Sequence, residues 1–109
     1  MALNKKNRLK KKHDFGEVFK KGKAIKGSFL FIKYRKNGLD APRLSFVVSV
    51  KVARNAVERN RIRRILSETA RGIIKSLDSY DIVVFAANKI TAVPKKDIAD
   101  DLLEVFKKI

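Results

Sequence analysis

Residues 55–87 read NAVERNRIRRILSETARGIIKSLDSYDIVVFAA, and two hydrophobic patterns meet inside that stretch. In the first part Ile62, Ile65, Leu66, Thr69, Ala70, Ile73, Ile74 and Leu77 fall on one stripe at helical spacing. Asn55 and Glu58 stand at N-cap and N3 spacing, a variant of the capping box, so the helix is predicted to begin at Asn55. On a helical wheel Asn60, Arg64, Ser67 and Arg71 lie opposite the stripe, with Arg61 and Arg63 on its flanks. Arg59 projects towards the core side at the first turn and is expected to overhang the end of a sheet. In the second part Tyr80 to Ala87 reads as a strand whose IVVFAA, residues 82–87, is a continuous apolar run, the pattern of a strand buried on both faces. An amphipathic helix followed by a buried strand points to helices layered on a sheet.

Working outward, Phe29 to Arg35 is aromatic-rich and partly alternating, and Leu44 to Val50 is β-branched. Asn37-Gly38 and Pro42 mark a turn between them, so the two are expected to form a strand pair. Lys23 to Lys26 adds a short leading strand. Asp14 is expected to cap a helix that runs to about Lys21 and ends at Gly22, with Phe15, Val18 and Phe19 on one face. Residues 1–12 carry six basic side chains and no acid, with Leu3 and Leu9 as the sizeable apolar groups. This stretch reads as a flexible arm that orders on a phosphate backbone. On the C-terminal side Asn88 to Val93 is a loop. Pro94 suits the first position of a last helix, whose Ile98, Leu102, Val105, Phe106 and Ile109 make an apolar stripe. The predicted order is αβββαβα, an α+β fold built as a single-domain α/β sandwich over residues 1–109 with a mixed sheet.

Charge narrows the partner. The chain has 27 Lys and Arg against 11 Asp and Glu, a net charge of +16 that self-repels unless a polyanion neutralises it. Residues 1–75 hold 22 of the basic and 5 of the acidic side chains, so the anionic partner is expected to meet the first two-thirds of the chain. A membrane surface is the poorer candidate, because there is no Trp and the lysine-rich N-terminus has no bulky apolar face. No apolar run reaches the roughly 20 residues of a spanning helix, and the basic N-terminus does not read as a secretory signal. With no cysteine, disulfides and thiolate metal sites are excluded, and a cytoplasmic setting is expected. His13, the lone histidine, has no acidic or cysteine cluster at ligand spacing, so no metal site is expected. Ser28, Ser45 and Ser49 lie in strand contexts with no nucleophile elbow, and no catalytic residue is assigned. Asp97 and Asp101 are expected to serve the start of the last helix, where carboxylates suit the dipole.

The densest chemistry is Lys51-Val-Ala-Arg54-Asn-Ala-Val-Glu-Arg59-Asn60-Arg61-Ile-Arg63-Arg64, six basic residues and one acid around the start of a helix. That end presents unpaired N–H groups and a positive dipole, and guanidinium forks there suit phosphates held in fixed geometry. At these residues the sequence resembles the protein component of bacterial ribonuclease P. Asn55-Ala-Val ahead of Arg59-Asn60-Arg61-Ile-Arg63-Arg64 is similar to that family's RNR-motif helix. Asn7-Arg8-Leu9-Lys10 and the Asp14-Phe15…Val18-Phe19…Gly22 pattern resemble its N-terminal region, and Asp81-Ile-Val-Val resembles its last strand. The chain departs from the family pattern in having Val50-Lys51-Val52 in place of paired lysines and Arg54 in place of a glycine.

The resemblance implies a left-handed crossover between the third and fourth strands, against the general right-handed rule. It implies a protein subunit of ribonuclease P, which binds a catalytic RNA subunit and the 5′ leader of precursor tRNA. The protein assists endonucleolytic removal of the leader and broadens substrate specificity, while Mg²⁺ ions used by the RNA carry the hydrolysis. Lys51, Arg54, Arg59, Asn60, Arg61, Arg63 and Arg64 are the residues expected to face the RNA subunit. Lys12, Phe15, Phe19, Lys33 and Tyr34 are the candidates for the leader cleft. From the residues alone Phe15 and Phe19 fit either a core stripe or a stacking surface, and the register of the Phe29–Arg35 strand is open. The expected partners are the RNA subunit and precursor tRNA, with neither DNA nor membrane, the protein being monomeric in a 1:1 ribonucleoprotein. The rivals are a structural RNA-binding protein, a DNA-binding module using the Asn55 helix in a major groove, and a nuclease needing no RNA subunit.

Overall fold

Strand β4 (Tyr80–Ala86) lies inside a four-stranded sheet, between β2 (Leu30–Lys36) and β3 (Arg43–Val47), with β1 (Lys23–Lys26) outside β2. The computed structural model describes residues 3–87 and 90–109. β1 pairs antiparallel with β2, β2 antiparallel with β4, and β3 parallel with β4, so the sheet is mixed. Helices α1 (Lys12–Lys21), α2 (Ala56–Ile73) and α3 (Lys95–Lys107) complete the predicted αβββαβα order.

The expected strand pair needs correction. β2 and β3 are neighbours in sequence, yet β4 is inserted between them. Burial gives the reason: Ile82, Val83 and Val84 are each 0% exposed, and successive residues of a strand point to opposite faces. A strand apolar on both faces is best hidden in the middle of a covered sheet, so β3 is displaced to the edge and α2 becomes the crossover that a parallel pair needs. β3 also stops at Val47, short of the expected Val50. Beyond it the Ser49 carbonyl accepts the N–H groups of Val52 and Ala53, turning the chain towards α2.

One face of the sheet carries α2 and α3. Ile62, Ile65, Leu66 and Ala70 of α2 and Ile98, Leu102, Val105 and Phe106 of α3 are buried with Leu30, Ile32, Leu44, Ile82 and Val84 in the main core. Asn55 caps α2 as predicted, its side chain accepting the Val57 N–H at 2.8 Å. Glu58 does not close a capping box; its carboxylate accepts from Arg61 at 3.0 and 2.7 Å. The α-helix ends at Ile73, and the rest of the stripe continues through a 3-10 turn, Ile74–Ser76. Pro94 occupies the N-cap position of α3, one residue before its first turn. Asp101 is corrected from a helix-start role, since it lies a turn further in. Its carboxylate accepts the Ser28 and Phe29 N–H groups, both at 2.9 Å, and so closes the β1–β2 hairpin against α3. Gly27 allows that approach, because a Cβ there would stand 2.7 Å from the Asp101 carboxylate. In the expected Asn88–Val93 loop, residues 88–89 lie outside the described residues, and Ile90–Ala92 form a 3-10 turn with Ile90 buried.

The opposite face carries α1. Val18 is buried against Leu9 and Val83 in a second, smaller cluster that Phe15, Val47 and Phe85 flank. Asp14 is not the cap: Lys11 holds that position, and Asp14 sits in the first turn facing Arg43. Gly22 ends the helix as predicted, its N–H donating to the Val18 carbonyl at 2.8 Å. Residues 3–11, within the stretch read as an arm, lie along the outer edge of β3. Leu3 and Leu9 are buried, Asn7 Nδ2 donates to the Pro42 carbonyl, and the Leu9 N–H donates to the Leu44 carbonyl. The two apolar side chains provide the reason a cationic segment packs here at all.

Candidate nucleic-acid interface

The arginine-rich end of α2 is built from the loop before it. Ala53 is buried and anchors that loop, leaving Lys51 and Arg54 exposed. Arg59, expected to overhang the sheet's end, folds back instead. Its Nη1 donates to the carbonyls of Ala53 at 2.8 Å and Arg54 at 2.9 Å, so the guanidinium braces the loop. Arg61 is held by Glu58, and Arg63 by the Asn60 side-chain oxygen. Arg64 is exposed. These bonds orient three of the guanidinium groups while leaving N–H donors on each, since one guanidinium carries five. A preset array of forks loses less freedom on meeting phosphates than free side chains would.

Arg63, Arg64 and Ser67 also form one wall of a groove. Leu3, Arg8, Leu9 and Lys10 of the N-terminal segment and Leu44 and Phe46 of β3 form the other walls. Arg8 and Lys10 thereby join the α2 arginines. Sequence reasoning placed them on a separate arm, because nothing in local spacing reveals that Leu9 bridges to β3.

On the α1 face, strand alternation separates two residues that the sequence left together. Lys33 faces α1, its Nζ 5.1 Å from the centroid of the Phe19 ring, within cation–π range. Tyr34 faces the other way and meets Tyr80 edge-on at 5.5 Å, packed against the main core. Tyr34 is therefore corrected: it does not share a surface with Phe19. Phe19 is 47% exposed and lies 5.5 Å from Phe85, which stacks on Phe31 at 4.7 Å with an interplanar angle of 9°. Phe15 is half-buried against the small cluster, and Lys12 is exposed at the start of α1. Three rings and an ammonium thus make one continuous surface across α1, β2 and β4. Phe31 and Phe85 were missed because β4 reads as buried on both sides. The available signal was the i, i+2 spacing of Phe31 and Lys33, which puts both on one face.

Ion pairs fix α1 over this face. Arg43 makes a two-pronged contact with the buried Asp81, Nε to Oδ1 at 2.8 Å and Nη2 to Oδ2 at 2.6 Å. Its Nη1 reaches Asp14 of α1 at 3.2 Å, and Asn37 adds a bond to Asp81 at 3.0 Å. The bonds to Asp81 raise the Arg43 pKa above its ordinary value, so the charge is permanent. Further along α1, hydrogen bonds from Lys21 and Arg35 hold the Glu17 carboxyl below the usual carboxylate range. Among the described residues, no group of three or more His, Cys, Asp or Glu side chains is placed to hold a metal ion, and no helix is long and apolar enough to cross a membrane.

Comparison with known proteins agrees with this geometry. The family model described as Ribonuclease P matches residues 3–109. The ribonuclease P protein component of Vesicomyosocius okutanii is 37% identical over 107 residues, covering 98% of this chain and 94% of the relative. That of Fusobacterium nucleatum is 39% identical, covering 93% and 95%. Among solved structures, the RNase P protein of Staphylococcus aureus superposes with a TM-score of 0.88 at 30% identity, covering 94% of each chain. The Thermotoga maritima RNase P protein gives a TM-score of 0.85 at 32% identity, covering 94% of this chain and 96% of that one.

Proposed function

From the premise that this chain belongs to the ribonuclease P protein family, we propose that it binds the catalytic RNA of ribonuclease P on one surface and the 5′ leader of precursor tRNA on another. The observation that carries this reading is the separation of two unlike surfaces. The braced arginines, with Lys51, Arg54 and Asn60, stand at the start of α2 on one side of the sheet. The surface of Phe19, Phe31, Phe85 and Lys33 lies on the other side. Oriented guanidinium groups suit the backbone of a folded RNA, which is recognised largely through phosphates and shape. Exposed rings beside a cation suit a single strand, each stacked base contributing roughly 1–3 kcal/mol without demanding a sequence.

Within that arrangement the chain supplies binding and no reacting group. It tethers the leader beside the RNA, which removes part of the entropy of bringing substrate and ribozyme together. Its positive charge also offsets repulsion between two polyanions, which lowers the Mg²⁺ that the RNA needs for folding and hydrolysis. Leader contacts favour precursor over mature tRNA and broaden the range of precursors accepted. The protein acts as a monomer, one per RNA subunit, in the cytoplasm. Lys12 and the half-buried Phe15 flank the leader surface.

The test is cleavage of a precursor tRNA by a bacterial ribonuclease P RNA at low Mg²⁺, with and without this chain. The expected result is cleavage at the mature 5′ end with both components and none with the protein alone. Binding to the RNA with no gain in cleavage would leave only a structural RNA-binding protein. Cleavage by the protein alone would place the active site in this chain.

A further inference from the structure

We infer that the groove between the N-terminal segment, β3 and α2 holds one unstacked nucleotide of the RNA subunit. This rests on the reading that α2 faces that RNA. The groove is open to solvent and offers about 510 Å³, within the range of roughly 300–1,000 Å³ in which small-molecule sites fall. Its walls are apolar: Leu3 and Leu9 on one side, Leu44 and Phe46 on the other. Its rim is cationic, with Arg8 and Lys10 facing Arg63 and Arg64, and among the described residues no acidic side chain lines it. Apolar walls under an all-cation rim match an aromatic base that carries a phosphate.

The backbone adds the means to hold a base edge. β3 bonds to β4 on one side, and on the other its Leu44 carbonyl accepts the Leu9 N–H at 2.9 Å. In a parallel ladder, residues two apart turn their N–H and carbonyl groups the same way. Phe46 therefore presents a donor and an acceptor outward at the groove, beyond the point where Leu9 covers the edge. The same cover argues against a peptide adding as a strand, because the bridge between Arg8 and Leu44 already occupies the edge. The cations favour a nucleotide over a neutral ligand, and Arg63 and Arg64 tie it to the RNA contacted by α2.

Ser67, half-buried on α2, lines the groove and donates only to the Arg64 carbonyl one turn back. A Ser67→Phe variant fills the groove and removes no charge. Its affinity for the RNA subunit should fall roughly 5- to 150-fold, the factor that one stacked base contributes. The slope of log affinity against log salt should fall by no more than about one unit, because Ser67→Phe displaces the base and leaves every rim cation in place. Probing the RNA bases with dimethyl sulfate and carbodiimide should show one unpaired base protected by the wild-type chain and reactive again with Ser67→Phe. Unchanged affinity in a folded Ser67→Phe, or no unpaired base protected by wild type, overturns the inference. If Ser67→Phe does not fold, Ser67→Cys decides instead, as the chain has no other cysteine and takes a short photo-crosslinker at that position alone. A crosslink to one unpaired nucleotide supports the groove, and crosslinks scattered over paired regions overturn it. Failure of the wild-type chain to bind the RNA subunit at all would instead overturn the proposed function.

Discussion

Asp81→Ala tests whether the small cluster and its ion pairs hold α1 in place. Asp81 is 7% exposed and accepts two bonds from Arg43 and one from Asn37. Removing one member of a buried pair typically costs about 3–5 kcal/mol, because the other charge stays behind without its partner. Here Arg43 keeps Asp14 at 3.2 Å and its side chain retains 21% exposure, so water and the second carboxylate compensate in part. We therefore expect the lower end, about 3 kcal/mol. For a domain near 100 residues, each kcal/mol shifts Tm by roughly 4–8 °C, so the expected loss is ~12–24 °C. Thermal and urea unfolding followed by circular dichroism would measure it. The double variant Arg43→Met with Asp81→Leu should recover most of the loss, since apolar replacement of a buried pair is often near neutral. A loss below about 1 kcal/mol for Asp81→Ala, or a double variant no better than the single, would refute the reasoning.

Phe19→Ala should weaken precursor tRNA binding roughly 5- to 150-fold, the equivalent of 1–3 kcal/mol for one stacked base, and leave affinity for the RNA subunit intact. Equal losses for precursor and mature tRNA would mean that the ring, although 47% exposed, serves only packing. Arg61→Ala should lower the salt slope of RNA-subunit binding by about 0.7–1 unit with little change in Tm. Arg59→Ala should do the same and also destabilise the chain by about 1–2 kcal/mol, because two loop carbonyls lose a charged donor; matching melting curves for the two variants would contradict the bracing role. Glu17 has a folded pKa held down, first by its bond to Lys21 and then by Arg35. Its contribution to stability is thus full above the unfolded carboxylate value of about 4.3 and is lost as pH falls through the lower folded value. Glu17→Gln should flatten the acid limb of the stability profile, and an identical limb in both proteins would show that the pairing contributes nothing.

What the sequence determined by itself is whatever depends on neighbours along the chain. The α2 stripe, the Asn55 cap, the Gly22 stop and the four buried apolar positions of α3 are all set within a few residues of each other. The family motif and the crowding of arginines at the start of α2 were legible for the same reason. Tertiary structure decided what depends on partners far along the chain. The insertion of β4 between β2 and β3 separated an expected strand pair, because only a central position hides Val83 and Ile82 on opposite faces at once. The sheet's alternation then sent Lys33 to Phe19 and Tyr34 to Tyr80, and brought Phe31 and Phe85 together from positions 54 residues apart. Asp14, Arg43 and Asp81 became one network, and Asp101 became the clasp of a distant hairpin. Arg8 and Lys10 joined Arg63 and Arg64 only because Leu9 is buried beside β3. Periodicity shows which side of an element is apolar, but the partner of a charge or a ring is chosen by topology, which no local spacing records.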